Sequence, residues 1–219
     1  MSEFIVHTIP GSPYARAVLA ALEEKAVRYR LAPVAPGAFQ SPQHLARHPF
    51  GRVPVLEHDG FVLYETQAIL RYLDRIKPSP ALTPADAQRI ARMDQVMNIN
   101  DWYLFHDVGN VIIFQRVVGP KLMGLTPDEA AIAAAMPKAR TVFKTLAGLL
   151  EGQSFFAGES ISLADLLVAP GISFFTATPE WAELGKPHAS LVAWLERMEA
   201  RSSMAATTWE RVAAIAKAA

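Results

Sequence analysis

Along the first 77 residues, apolar and polar positions alternate between strand-like and helix-like spacing. Phe4 to Ile9 is rich in β-formers and reads as a strand, which Pro10-Gly11 ends. Ser12-Pro13 then opens a helix in the preferred way, with Ser at the N-cap and Pro at the first helical position. Val18, Leu19 and Leu22 share one face of that helix, which runs to about Lys25. Tyr29 to Ala32 predicts a second strand. A strand, a helix and a strand within about thirty residues make a βαβ unit, whose crossover implies parallel pairing. Residues 33–47 read as a loop with one short helix at most. Asp59-Gly60 between two short apolar runs, Val55-Leu56 and Phe61 to Tyr64, is a hairpin signal. Ala68, Ile69, Tyr72, Leu73 and Ile76 then recur at steps of three and four, with the polar pair Glu65-Thr66 at the helix start.

Lys77 to Asp86, KPSPALTPAD, holds three prolines and marks a boundary. Everything beyond it reads helical. Ile90, Met93 and Met97 keep register, and the pattern passes through Trp102 to Phe105 before breaks near Gly109 and at Gly119-Pro120. Thr126-Pro127-Asp128-Glu129 has the form of a capping box opening a helix to about Leu150, and Ser162-Leu163-Ala164-Asp165 is a second box. Ser190 to Met198 and the Ala-rich tail from Thr207 predict further helices. The expected architecture is α/β plus all-α: residues 1–77 as a thioredoxin-like βαβ-ββα domain, 78–86 as linker, and 87–219 as an all-helical domain.

Composition narrows the chemistry. Half of the 219 residues are hydrophobic, and 21 basic residues balance 21 acidic ones, so a nucleic-acid or polyanion partner is not expected. No apolar run approaches the ~20 residues of a membrane span. The start MSEFIVHTIP lacks the features of a secretory signal, and a cytoplasmic location is expected. There is no cysteine, which excludes disulfides, thiolate metal ligands and any protein-thiol mechanism. Thiol chemistry would have to come from a ligand. His44 and His48 have the four-residue spacing of a helical metal pair, but Pro49 disfavours helix at His48 and no third ligand is evident, so no metal site is expected.

Val53-Pro54, then a hairpin, then Glu65-Thr66 opening a helix resembles the glutathione-binding half of the glutathione S-transferase family. Ser12-Pro13-Tyr14-Ala15 fits the same reading: glutaredoxins of this fold carry Cys-Pro-Tyr-Cys at that helix start, and the serine classes of glutathione transferase, phi and theta, place their catalytic serine there. The tyrosine classes need a Tyr near the end of the first strand, and residues 1–13 contain none. The resemblance covers the whole chain, including the linker and the box at Ser162.

What it implies is specific. Ser12 would donate a hydrogen bond to the glutathione thiolate, or serve only as a helix cap. Val53 would pair through its backbone with the cysteinyl part of glutathione, ahead of a cis Pro54. Glu65 and Thr66 would hold the γ-glutamyl end. The phi class grips the glycyl carboxylate with a His-Lys pair, where this chain offers Phe39 and Gln40; that departure leaves Gln40, with Arg52 or His44, for the role. A hydrophobic electrophile would lie between the domains, near Tyr14, Tyr103, His106 and Phe114, with Trp102 and Phe105 as further aromatic surface; ordinary bundle core is the alternative for each. The family also implies a homodimer, and glutathione as co-substrate with no other cofactor. A non-catalytic binding module of the same fold is the competing expectation.

Overall fold

The computed structural model describes residues 3–35 and 37–218. β1 (Phe4–Thr8) leads into α1 (Pro13–Glu24), β2 (Arg30–Pro33), a 3-10 turn at Ala38–Gln40, the short α2 (Pro42–Leu45), the hairpin β3 (Val55–His58) and β4 (Phe61–Tyr64), and α3 (Thr66–Ile76). The sheet order is β2-β1-β3-β4, with β1 parallel to β2 and antiparallel to β3. Phe4, Val6 and Thr8 alternate inward on β1, as a strand with one covered face requires. Val18, Leu19 and Leu22 of α1 and Ile69, Leu70 and Leu73 of α3 are likewise buried, and the two helices pack together.

The remaining helices are α4 (Ala87–Ile99), α5 (Asn110–Ile113), α6 (Gly119–Met123), α7 (Glu129–Leu149), α8 (Leu163–Phe175), α9 (Trp181–Leu184), α10 (Ala189–Glu199), α11 (Ser202–Ala206) and α12 (Trp209–Ala218). No helix among the described residues is long and apolar enough to cross a membrane. The chain forms two compact units, one of residues up to Leu82 together with those from Glu199 onward, the other of Thr83–Met198. The predicted second domain, 87–219, therefore differs from the packing at its end, where α11 lies on α1 and α12 on β2.

Two local expectations are corrected. The breaks predicted at Gly109 and Gly119-Pro120 do not occur, because π-helical stretches at Asn100–Gly109 and Phe114–Val118 carry the helix from α4 through to α6. Both glycines keep helical angles, φ −64° and −60°. A Cβ on Gly109 would lie 3.2 Å from the Leu104 carbonyl, and one on Gly119 would lie 3.1 Å from that of Phe114. Each of those carbonyls is five residues back, the partner spacing of a π turn. These glycines let the wide turn close instead of ending the helix. The box at Thr126 is also displaced: the cap of α7 is Asp128, which accepts from the backbone N–H of Ala130 and Ala131 at 3.0 Å. The box at Ser162 forms as predicted, with the buried Asp165 carboxylate accepting from Ser162 N–H (2.8 Å).

A buried cation fastens the end of α3. Lys25 Nζ donates to Asp74 Oδ1 (2.7 Å) and to the carbonyls of Lys77 (2.6 Å) and Pro80 (2.7 Å). Those three bonds use all three ammonium hydrogens. Asp74 also accepts from Leu82 N–H (3.0 Å), so the proline-rich segment is tied to both α1 and α3.

Candidate functional site

Strand register brings the predicted residues to one end of the sheet. His7 pairs with Val55, and Val55 pairs with Tyr64. Thr8, Pro54 and Glu65 are the next residues in sequence beyond these pairs, at the same end of the sheet. The turn to Ser12 leaves from this end of β1, and α3 begins at this end of β4. Two helix N-termini, those of α1 and α3, are thus presented beside the Val53-Pro54 peptide, which is cis. Such termini carry unpaired N–H groups and the positive end of the helix dipole, a setting that favours anions.

Ser12 caps α1 from an extended conformation, and its Oγ accepts from Ala15 N–H at 3.2 Å. Pro13 follows at the first helical position. The cap uses a lone pair of the hydroxyl and leaves its hydrogen to donate. Tyr14, half-buried, stands in the first turn of the same helix.

Glu65 precedes α3 with φ 69° and ψ 113°, a conformation that side-chain-bearing residues rarely adopt. Its carbonyl accepts the first helical bond, from Ile69 N–H (2.9 Å), while its side chain caps nothing and is exposed. Thr66, next to it, is buried. Backbone held this way at a helix start costs free energy, and such strain gathers at functional sites.

The loop before β3 completes this end. His44, buried, has its Nε2 2.9 Å from the Arg52 carbonyl, and a carbonyl accepts, so Nε2 carries the proton. This brace fixes the residue just ahead of Val53-Pro54. It occupies the nitrogen that a glycyl carboxylate would need. The four-residue spacing to His48 is that of a metal pair, which Pro49 argues against, and no signal in the sequence marks His44 as a brace. Among the described residues no group of three or more metal-binding side chains occurs. Gln40 and Arg52 are both exposed, and the Gln40 amide lies over Gly51, where an added Cβ would come within 2.6 Å of its nitrogen. Gly51 also takes φ 61°, so both space and backbone call for glycine there. His48 is buried beneath Tyr64 (ring centroids 4.7 Å apart) and close enough to feel the Glu65 charge. Burial pushes its pKa below 6.5, against the pull of Glu65.

The helical unit holds the other aromatic candidates. Tyr103 lines an apolar cavity of about 470 Å³ with Ile99 and Asp107 on one side and Lys138, Thr141 and Val142 of α7 on the other. His106 is exposed, hydrogen-bonded to Asp107 (3.1 Å), and is not part of that lining. Phe114 is half-buried in the second π stretch, and Trp102 is exposed. Neither Phe114 nor Trp102 lines the cavity beside Tyr103.

The family model described as "Glutathione S-transferase, N-terminal domain" matches residues 2–75, and that for the C-terminal domain matches residues 105–202. The chain is similar to a protein of Oryza sativa subsp. japonica named probable glutathione S-transferase GSTF2, 31% identical over 84% of this chain and 86% of the relative. It is also similar to glutathione S-transferase 4 of Zea mays, 32% identical over 87% of this chain and 85% of that one. The solved structure of glutathione S-transferase-I bound with lactoylglutathione superposes with a TM-score of 0.82 at 26% identity, over 97% of this chain and 99% of that one. With both family models matched and relatives of 31% and 32% identity covering 84% and 87% of it, the chain belongs to the glutathione S-transferase family.

Proposed function

We propose that the protein transfers the glutathione thiolate to a hydrophobic electrophile, with Ser12 as the residue that stabilises the thiolate. The observation that carries this is the meeting of a hydroxyl-capped helix start, Ser12, with a second helix start, Glu65-Thr66, at the cis Val53-Pro54 end of the sheet. A free thiol with pKa about 8.5 is only about 3% ionised at neutral pH. A donated hydrogen bond and a helix N-terminus that lower it by about two units would leave roughly three-quarters as thiolate, for about 2.7 kcal/mol. Ser12 acts as donor, since a serine hydroxyl is far too weak a base. Val53 orients the cysteinyl backbone. The Thr66 hydroxyl and N–H receive the γ-glutamyl carboxylate, and Glu65 receives the α-ammonium. Gln40 and Arg52 are left for the glycyl carboxylate. On the Ser12 helix, the half-buried Tyr14 is proposed as a contact for the electrophile. Glutathione is a co-substrate, and no other cofactor enters the reading.

Retention on immobilised glutathione, followed by activity against chloro-aromatic, epoxide and hydroperoxide substrates, tests the proposal. Ser12→Ala should cut conjugation ten-fold or more while costing about 1 kcal/mol of stability, the worth of one cap. Retention with no activity on any of these substrates would favour a non-catalytic binding module. An unchanged kcat/KM and an unchanged pH profile in Ser12→Ala would remove the assignment of Ser12.

The same reading includes a homodimer and a cytoplasmic location. Phe50 (68% exposed), Phe61 (50%) and Val62 offer apolar surface that a second copy would cover. Sedimentation at micromolar concentration should show a dimer, and a monomer there would remove that part of the proposal.

A further inference from the structure

Ser12 is delivered by a turn whose other neighbour comes from nearly two hundred residues away. In Ile9-Pro10-Gly11-Ser12, the Ser12 N–H donates to the Ile9 carbonyl (3.4 Å) and Gly11 takes φ +83°. Pro in the second place and a positive-φ Gly in the third make a type II turn. A Cβ added at Gly11 would lie 2.5 Å from Cε3 and Cζ3 of Trp209 and 2.8 Å from its Cδ2. The six-membered half of the indole therefore rests directly on the Gly11 backbone. Glycine is demanded here both by the backbone angle and by the ring.

Trp209 is itself held firmly. It is the first residue of α12, where the Thr208 hydroxyl accepts from Arg211 N–H (3.3 Å) and Val212 is buried. The segment before it is bound to α1: Arg201 donates twice to Glu24 (2.6 and 2.7 Å), and Arg16 donates to the Met204 carbonyl (3.1 Å). Residues 199–212 thus fasten both the helix that Ser12 caps and the turn that leads into it. A Pro-Gly turn without such a plate can exchange between turn forms, since glycine accepts φ of either sign, and Ser12 would move with it.

We propose that Trp209 is a positioning residue, whose indole holds the Pro10-Gly11-Ser12 turn in the form that keeps the Ser12 hydroxyl in place for the thiol of bound glutathione. This rests on the reading of Ser12 as the thiolate donor. It goes beyond that reading by making the last helix part of the reaction machinery.

Three variants decide it: Trp209→Leu, which keeps an apolar side chain but loses the plate; Trp209→Phe, whose smaller ring covers part of it; and Ser12→Ala as reference. The thiolate absorbance of bound glutathione is titrated against pH, and kcat and KM are measured separately. Trp209→Leu should raise the bound-thiol pKa by about one unit and lower kcat about ten-fold, with KM for glutathione changed by less than about three-fold. Trp209→Phe should fall between this and the parent. An unmoved titration and kcat in Trp209→Leu, whatever its Tm, would overturn the proposal. Should Trp209→Leu not fold, Trp209→Phe decides alone: unmoved, it overturns the proposal, and shifted in the stated direction with KM retained, it supports it. If Ser12→Ala leaves the bound thiol unchanged, the underlying reading of Ser12 fails, and that result is separate from anything seen at Trp209.

Discussion

Glu65 lends itself to a test in which stability and binding move in opposite directions. Its φ of 69° and ψ of 113° place a side-chain-bearing residue where mainly glycine goes, at a cost of about 1–3 kcal/mol. Glu65→Gly removes that strain but gives about 0.4–1 kcal/mol back through the freer unfolded chain. The net expectation is a gain of roughly 0–2.5 kcal/mol in stability. Glu65→Ala keeps a Cβ and its strain, and because the native carboxylate is exposed and caps nothing, its stability should stay within about 0.5 kcal/mol of the parent. Glutathione binding should weaken in Glu65→Gly, Glu65→Ala and Glu65→Gln alike. Loss of a charged hydrogen bond costs about 1.5–3 kcal/mol, roughly 10- to 150-fold in Kd. Urea midpoints at constant m-value give the first quantity, and calorimetric titration with glutathione gives the second. A glycine variant less stable than the alanine variant by about 1 kcal/mol would refute the strain argument. A Glu65→Gln variant that binds as the parent does would leave Glu65 a helix-end residue with no anchoring role.

Three further outcomes follow from buried polar groups. Lys25→Met should cost about 3–5 kcal/mol by urea unfolding, since it strips the partly buried Asp74 of the buried Lys25 cation and two carbonyls of their donor; a loss below about 1 kcal/mol would mean the pair is solvated. Asp165→Ala removes the acceptor of Phe156 N–H, Ser162 N–H and Trp194 Nε1–H, all buried, and should cost at least about 3 kcal/mol, with Asp165→Asn recovering only part. Stability should also fall on acidification in two stages. Burial holds His7 and His48 below 6.5, so their contribution is intact above about pH 6.5 and is lost as pH falls through their folded values, because the unfolded chain takes up protons first. Burial raises Glu24 and Glu57, but bonds from Arg201 and Ser203 to the one and from Arg47 and His7 to the other outweigh it and hold both below 4.5, so their contribution is lost only on further acidification. A Tm that stays flat from neutral pH down to about 5 would contradict the histidine stage.

Much of the sheet-bearing unit was legible because its signals are local. Ser12-Pro13, Asp59-Gly60 and the three- and four-residue steps after Thr66 each specify their element within a few residues, and all three form where expected. The long helix misled because glycine ordinarily weakens helices, whereas Gly109 and Gly119 sit where a carbonyl five residues back needs the space. Asp128 displaced Thr126 as the cap because both residues suit that role and spacing cannot rank them. His44 could not be read as a brace, since its acceptor is a backbone carbonyl and every residue has one. Lys25 and Trp209 owe their roles to partners 49 or more positions away, Asp74 for the one and Gly11 for the other, which no local pattern encodes.

The return of the tail to the first unit also sets an order of events during synthesis. Glu24 meets Arg201, 177 residues later, and Arg16 meets Met204, 188 residues later. At translation rates of about 5–20 residues per second, α1 waits roughly 10–35 s for the segment that neutralises Glu24 and covers Gly11. In that interval the sheet, α1 and α3 can form, but the turn leading to Ser12 lacks its indole. A nascent or proteolysed chain holding only the first 82 residues would therefore carry the glutathione-facing side chains without the part that steadies one of them.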